Sequence, residues 1–291
     1  MMFTKAQRND SFIKLALMGP SGSGKSYSGL KLARGLVGPT GKIAVIDTEN
    51  GSARLYSDLT EFFHCDLAAP FESRKFIDAI NEAERAGFDC VVIDSLSALW
   101  TWVLDHKNNL DRKGGNSFIN WADAGKVFNE ALQVVLQAKL HVIACMRSKQ
   151  EYVLQEETNF KGKTVQVPKK VGLAPVMRDN IEYEFTTVLE IGMDHKATPS
   201  KDRTGLFIDR TFQIDEKTGQ QIAGWLSGIS MPDALCRMPC SEIDNFLALI
   251  HNAESKDALN KIGQQIKVST LPESEKDVIR DVYRERYKSL A

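Results

Sequence analysis

Eight consecutive residues, Gly19, Pro20, Ser21, Gly22, Ser23, Gly24, Lys25 and Ser26, have the types and spacing needed to hold a chain of phosphates. Glycines at fixed positions let backbone N–H groups close on phosphate oxygens with no Cβ in the way. Lys25 adds a full positive charge beside the outer phosphates, and the Ser26 hydroxyl is placed to ligate magnesium. The run follows an apolar segment, FIKLALM (12–18), and opens an apolar-striped one from Ser26 to Val37. A strand followed by a helix would aim the helix N-terminus, with its partial positive charge, at the same phosphates. The fixed positions of this pattern co-occur by chance in roughly 1% of chains of this length, and the strand–helix context makes accident rarer still. The expected ligands are ATP and Mg2+.

Such a cradle needs an acidic partner for the metal, and FDCVVID (88–94) supplies Asp94 at the end of an apolar run. Its carboxylate is expected to hold the ion together with Ser26. Ser95, next in the chain, either hydrogen-bonds around the metal or caps the following helix. Glu49 stands just beyond another apolar run, KIAVID (42–47). A carboxylate there can polarise the water that attacks a terminal phosphate. Its place speaks for hydrolysis and against a nucleoside-monophosphate kinase, for which no second substrate pocket is readable.

These side chains need a scaffold, and the apolar pattern outlines one. Strands are expected at 12–18, 42–47, 88–94, 140–146 and 186–194, and helices at 26–37, 76–87 and 121–138. Near-continuous apolar strands alternating with helices imply an α/β fold, a mostly parallel sheet covered on both faces. Residues 148–180 form an insert whose pattern predicts a β-hairpin turning at Lys161-Gly162. A second hairpin is predicted over 207–226, turning at Lys217-Thr218-Gly219, and KNNLDRKGG (107–115) reads as a loop. Beyond Trp225 the composition changes, and apolar residues recur at helical spacing over 241–253, 256–267 and 272–290. The expected organisation is an N-terminal arm at 1–11, a core domain at 12–228 and a small three-helix domain at 229–291.

The bulk numbers set limits on partners. Formal net charge is -1, so no global positive field draws in nucleic acid, and any such binding must come from local patches. One patch is the insert. From 147 to 178 the cations Arg147, Lys149, Lys161, Lys163, Lys169, Lys170 and Arg178 face only Glu151, Glu156 and Glu157. A basic hairpin can track a phosphate backbone, with Tyr152 and Phe160 as stacking residues. Lys107, Arg112 and Lys113 mark a second candidate loop. Ordinary solvated loops would look the same by charge alone. The five cysteines form no metal-binding spacing. No apolar stretch approaches the roughly 20 residues of a membrane span, and the polar N-terminus has no signal-peptide core. A soluble cytoplasmic protein is expected.

Two runs, AVIDTENGSARLY (44–56) and FDCVVIDSLSAL (88–99), resemble the RecA-like ATPases, whose glutamate after the second strand activates water. Within them the chain is most similar to the phage-encoded nucleotide-binding ATPases of single-strand annealing and recombination. HVIACMRSKQEYV (141–153), PKKVGLAPVMRDNIEYEF (168–185) and SKDRTGLF (200–207) carry that likeness, which covers residues 12 to about 226. The resemblance implies a RecA-like P-loop core with β-hairpin insertions and a small helical C-terminal unit. It implies that Arg147 senses the γ-phosphate and relays its presence to a DNA-binding loop; RecA carries glutamine there, so the arginine departs from the pattern. It implies that Lys201 and Arg203 reach the ATP of a neighbouring subunit. It further implies single-stranded DNA as partner, self-association into an oligomer or filament, a single-strand-binding or recombination partner protein, and the bacterial host cytoplasm as location. Two functions stay open: a DNA-dependent ATPase, and a nucleotide-gated binding module or loader with little turnover.

Overall fold

A computed structural model describes residues 5–114, 116–158, 164–228, 255–269 and scattered positions from 246 to 287; within 150–173 it describes the backbone alone. The chain divides into two compact units, Met1–Ser230 and Met231–Ala291.

The first unit is built on an eight-stranded sheet. Its central strands are β1 (Lys14–Gly19), β2 (Ile43–Asp47) and β4 (Cys90–Asp94), each buried along its whole length. The edge strand β3 (Phe63–Asp66) is short and half-exposed. β5 (His141–Thr158) begins in the sheet and runs on beyond it. β7 (Thr187–Ile191) and β8 (Ala197–Asp202) complete the order β3-β2-β4-β5-β1-β7-β8. All neighbours are parallel except β8, which is antiparallel to β7. The outer half of β5, from Ser148, pairs antiparallel with β6 (Thr164–Pro175) in a two-stranded ribbon. The insert is thus the expected hairpin, and its turn at Lys161-Gly162 lies outside the described residues.

Burial on both faces follows from strand alternation. Ala16, Met18, Val91 and Ile93 point to one core, which α2 (Ser73–Arg85), α3 (Ser97–Lys113) and α4 (Ser117–Gln137) cover with Phe76, Leu99 and Phe128. Leu15, Leu17, Val45 and Val92 point to the other, covered by α1 (Lys25–Val37) and α5 (Glu216–Leu226).

Helix α5 corrects the second predicted hairpin. Asp215 and Thr218 form a capping box, the side chain of each bonded to the other's backbone, so the Lys-Thr-Gly tripeptide starts a helix instead of reversing a strand. Gly219 is there for closeness. A Cβ on it would overlap the Leu32 carbonyl of α1, and one on Gly35 would overlap the Glu216 carbonyl of α5. The predicted loop at 107–115 is also corrected, because residues up to Lys113 continue α3. The arm is partly anchored: the Arg8 guanidinium lies 4.7 Å above the Trp225 ring.

In the second unit, α6 (Lys256–Val268) packs Leu259, Ile262 and Ile266 with Phe246, Ile250 and Ile279. Much of the other two expected helices falls outside the described residues. Among the described residues no helix is long and apolar enough to cross a membrane.

Candidate nucleotide site

β1, β2 and β4 end, and β5 leaves the sheet, along one side of it, since they are parallel and in register. Gly19 lies opposite Arg147, and Asp47 lies opposite Asp94. That side opens into a cavity of about 510 Å³, lined by Gly24, Lys25, Ser26, Glu49, Asp94 and Arg147 among others. Strands β1 and β2 and helix α1 deliver the phosphate loop and Glu49; β4 and β5 deliver Asp94 and Arg147.

The phosphate loop leaves β1 at Gly19 and enters α1 through Gly24, whose φ of 89 favours glycine. A Cβ on Gly24 would also come within 3.3 Å of His195 Nδ1. The nearly buried Lys25 amine donates to the Pro20 carbonyl at 2.8 Å, curled over its own loop. Ser23 keeps a buried hydroxyl without a partner, a donor that a phosphate oxygen could satisfy.

Ser26 and Asp94 are already together: the Ser26 hydroxyl donates to Asp94 Oδ2. Asp94 is almost fully buried. Burial pushes its carboxyl up to about 6; the Ser26 bond pulls it down, while Glu49 and Asp47 add to the rise. A hydroxyl and a carboxylate are the hard oxygen donors that magnesium prefers. The pair therefore fits the ion, and these two side chains would hold it. Bound there, magnesium would neutralise phosphate charge.

Thr48 fastens β2 to β4 just behind the site. Its N–H donates to the Asp94 carbonyl at 2.7 Å, and its hydroxyl accepts the Ser95 N–H at 2.9 Å. The Asp94–Ser95 peptide is cis. The Ser95 hydroxyl is buried with no partner, so it does not cap α3, whose N-cap is Leu96.

Glu49 and Arg147 meet across the cavity. Arg147 donates through Nη2 at 2.7 Å and through Nε at 3.0 Å to Glu49 Oε1. The Arg147 backbone N–H donates to Ser97 Oγ at 2.9 Å. Behind Glu49, its own N–H donates to Asp47 Oδ1 at 2.6 Å. Burial raises the Asp47 carboxyl, but the Ala53 N–H, the His64 ring and the Glu49 N–H outweigh it and hold it below its usual range.

The cavity is also lined by residues that the sequence motifs do not single out: Tyr27, Tyr56, His195, Gln213 and Ile214. Tyr27 and Tyr56 meet edge to face at 6.2 Å, an aromatic surface of the kind on which a base can stack. Tyr27 directly follows the loop and Tyr56 closes the AVIDTENGSARLY run, so both carried a positional signal. His195 and Gln213 carried none, since tertiary folding alone brings them in.

Other predicted residues lie elsewhere. Lys201 belongs to β8, at the end of the sheet away from Gly19, and its amine donates to the Glu182 and Tyr183 carbonyls at 2.8 and 2.7 Å. Arg203 follows and reaches the Tyr183 carbonyl at 3.4 Å. Neither lines this chain's own cavity. Lys149 is exposed at the root of the ribbon, and Lys169 and Lys170 pair with Val153 and Tyr152 along it. Lys161 and Lys163 lie outside the described residues. Lys107 is bound to Asp111 at 2.5 Å, and Arg112 and Lys113 are exposed at the end of α3. Arg178 is engaged in packing, with contacts to Asn129 at 2.5 Å and Glu184 at 3.3 Å and its guanidinium over Phe128.

No curated protein sequence matches the chain. A family model described as an AAA domain matches residues 11–224, which takes in the phosphate loop, Glu49, Asp94, Arg147 and the whole sheet. On that match and this geometry, the chain belongs to the AAA domain family of P-loop ATPases.

Proposed function

We propose that the chain hydrolyses ATP in response to single-stranded DNA, assembling with copies of itself, in the manner of the phage recombination and annealing ATPases it resembles. The observation that carries this reading is the Glu49–Arg147 ion pair. Arg147 is the residue at which β5 leaves the sheet, opposite Gly19 of the phosphate loop on one side and one step before the ribbon starts at Ser148 on the other. A side chain at that junction is shared between the nucleotide and the basic ribbon.

The pair is half-exposed on the arginine side, with side-chain exposures of 52% and 32%. Pairs of this kind are worth about 1 kcal/mol or less. A γ-phosphate carries more charge than Glu49 and competes for the guanidinium. When Arg147 turns to the phosphate, Glu49 is released to take a proton from the attacking water. Movement of Arg147 at the root of the ribbon then reports nucleotide state to Lys149, Lys161, Lys163, Lys169 and Lys170, which meet the DNA backbone. Phe118, 84% exposed, and Trp121, 44% exposed with the Lys107 amine 5.0 Å from its ring centroid, add an aromatic surface where bases can stack. Lys201 and Arg203, away from their own cavity, act on the ATP of a neighbouring copy. A phage origin would place the protein in the bacterial host cytoplasm, with a single-strand-binding or recombination protein as partner.

The test is ATP hydrolysis with and without single-stranded DNA at low salt, read beside mass photometry in both states. Stimulation with ATP-dependent oligomers is expected, and hydrolysis indifferent to DNA refutes the reading. The same ion pair supports a second one, a nucleotide-gated loader with little turnover, because Glu49 is engaged at rest. Glu49→Gln separates them. It abolishes function in the first case while ATP still binds, and it is nearly silent in the second.

A further inference from the structure

The Asp47 carboxylate is fully buried and does not line the nucleotide cavity. Its Oδ1 accepts the Glu49 N–H at 2.6 Å and its Oδ2 accepts the Ala53 N–H at 2.9 Å. Those two bonds fold the segment after β2 into the turn that presents Glu49. A third group reaches the carboxylate from the neighbouring strand: His64 of β3 places Nε2 3.1 Å from Asp47 Oδ2. The other ring nitrogen, Nδ1, lies 3.3 Å from Arg54 Nε. Arginine can only donate, so Nδ1 is the acceptor, and Nε2 carries the hydrogen given to Asp47. The chain of bonds runs from Arg54 through His64 to Asp47 and on to the Glu49 backbone. His64 is nearly buried, its side chain 11% exposed.

We propose that His64 is a positioning residue for hydrolysis, fixing the Asp47 carboxylate so that its two oxygens hold the Glu49 turn. A carboxylate is two-fold about its last torsion, and two backbone N–H bonds alone leave it free to tilt. The His64 bond removes that freedom. Without it, one buried oxygen loses a partner and the Glu49 turn loses its stop. Displacing a catalytic group by about 1 Å can cost on the order of 100-fold in rate. The phosphates would be held elsewhere, by the glycine loop and Lys25 and, through magnesium, by Ser26 and Asp94, so the loss is expected on turnover and not on affinity.

The proposal rests on Glu49 as the group that activates water, and the test separates the two. Steady-state ATP hydrolysis and binding of a fluorescent ATP analogue are measured for His64→Leu, His64→Gln, Arg54→Met and Glu49→Gln, each with a thermal melt. His64→Leu fills the space with no polar atom. It is expected to lower kcat about tenfold, since only part of the Glu49 alignment is lost, with the dissociation constant within about threefold. Glutamine can donate to Asp47 and accept from Arg54, so His64→Gln should restore kcat to within about threefold of wild type. Arg54 is 62% exposed, so its replacement is expected to leave the protein folded. Arg54→Met is expected to lower kcat about threefold by the same argument, and it decides the matter if His64→Leu does not fold. An unchanged kcat in the folded His64→Leu protein overturns the proposal, as does a glutamine variant no better than leucine, or a loss of affinity as large as the loss of kcat. Wild-type turnover in Glu49→Gln overturns the reading of Glu49 itself.

Discussion

Asp94→Asn should make the ligand-free protein more stable while removing its use for magnesium. The Asp94 carboxyl is pushed up to about 6 from the ordinary carboxylate value of 3.8, chiefly by burial. A carboxyl raised in the folded state contributes stability that is complete below its unfolded value and is lost as pH rises through the folded one. The gap of about 2 units corresponds to about 3 kcal/mol at full ionisation, at about 1.4 kcal/mol per unit. Asparagine has the shape of the protonated acid and no charge to desolvate. Without nucleotide or magnesium, the variant should therefore exceed wild type by about 3 kcal/mol near pH 8 and by under about 1 kcal/mol near pH 4. Urea unfolding at the two pH values measures this directly. Adding ATP and magnesium at about 1,000 times the dissociation constant should stabilise wild type by about 4 kcal/mol and the variant far less, reversing the order. A variant equal to or weaker than wild type near pH 8 without ligand would refute the claim that burial of an unmet charge sets the state of Asp94.

Arg147→Ala removes the side chain shared by Glu49 and the ribbon root; the ratio of hydrolysis with DNA to hydrolysis without it should fall to about one, by the loss of transition-state electrostatics and coupling together. Gly219→Leu should cost about 3 kcal/mol by urea unfolding, at the upper end for overpacking, because the new side chain meets the α1 backbone. Trp121→Ala should weaken single-stranded DNA binding by about 1–3 kcal/mol per stacked base, read by fluorescence anisotropy, with DNA-free hydrolysis unchanged.

What could be read from the chain was what local chemistry dictates. The phosphate loop demands glycines and a lysine at fixed offsets, so residues 19–26 announce themselves. Strands β1, β2, β4 and the inner part of β5 are buried on both faces and therefore appear as continuous apolar runs. The edge strands β3 (FHCD) and β8 (ATPSKD) are half-exposed, and their composition gives no such run. The second half of α3 carries mostly polar residues from Asp105 to Lys113, which look like a loop unless the helix before them is seen. At α5 the misleading signal is glycine itself. Gly219 looked like turn chemistry, and its reason is the approach of a second helix, which no local window contains. The Asp47–His64 contact was hidden for the same cause, since only the parallel pairing of β2 with β3 brings residues 17 apart into contact.

The three carboxylates gathered at the sheet edge also explain the division of labour. Asp47 and Glu49 lie close enough to Asp94 that their charges add to the rise of its carboxyl, so the negative charge gathered here must be balanced or remain unmet. Asp47 is balanced for good by two backbone N–H groups and His64. Glu49 is balanced by Arg147, a cation that a phosphate can draw away. Asp94 accepts the Ser26 hydroxyl and feels the Lys25 charge, yet burial still pushes its carboxyl up to about 6. The strongest unmet negative charge at the site is therefore at Asp94, beside the serine that closes the phosphate loop. On the proposed reading, a divalent ion arriving with the triphosphate would be most favoured there, and Glu49 would be the carboxylate left to act on water once Arg147 has turned away.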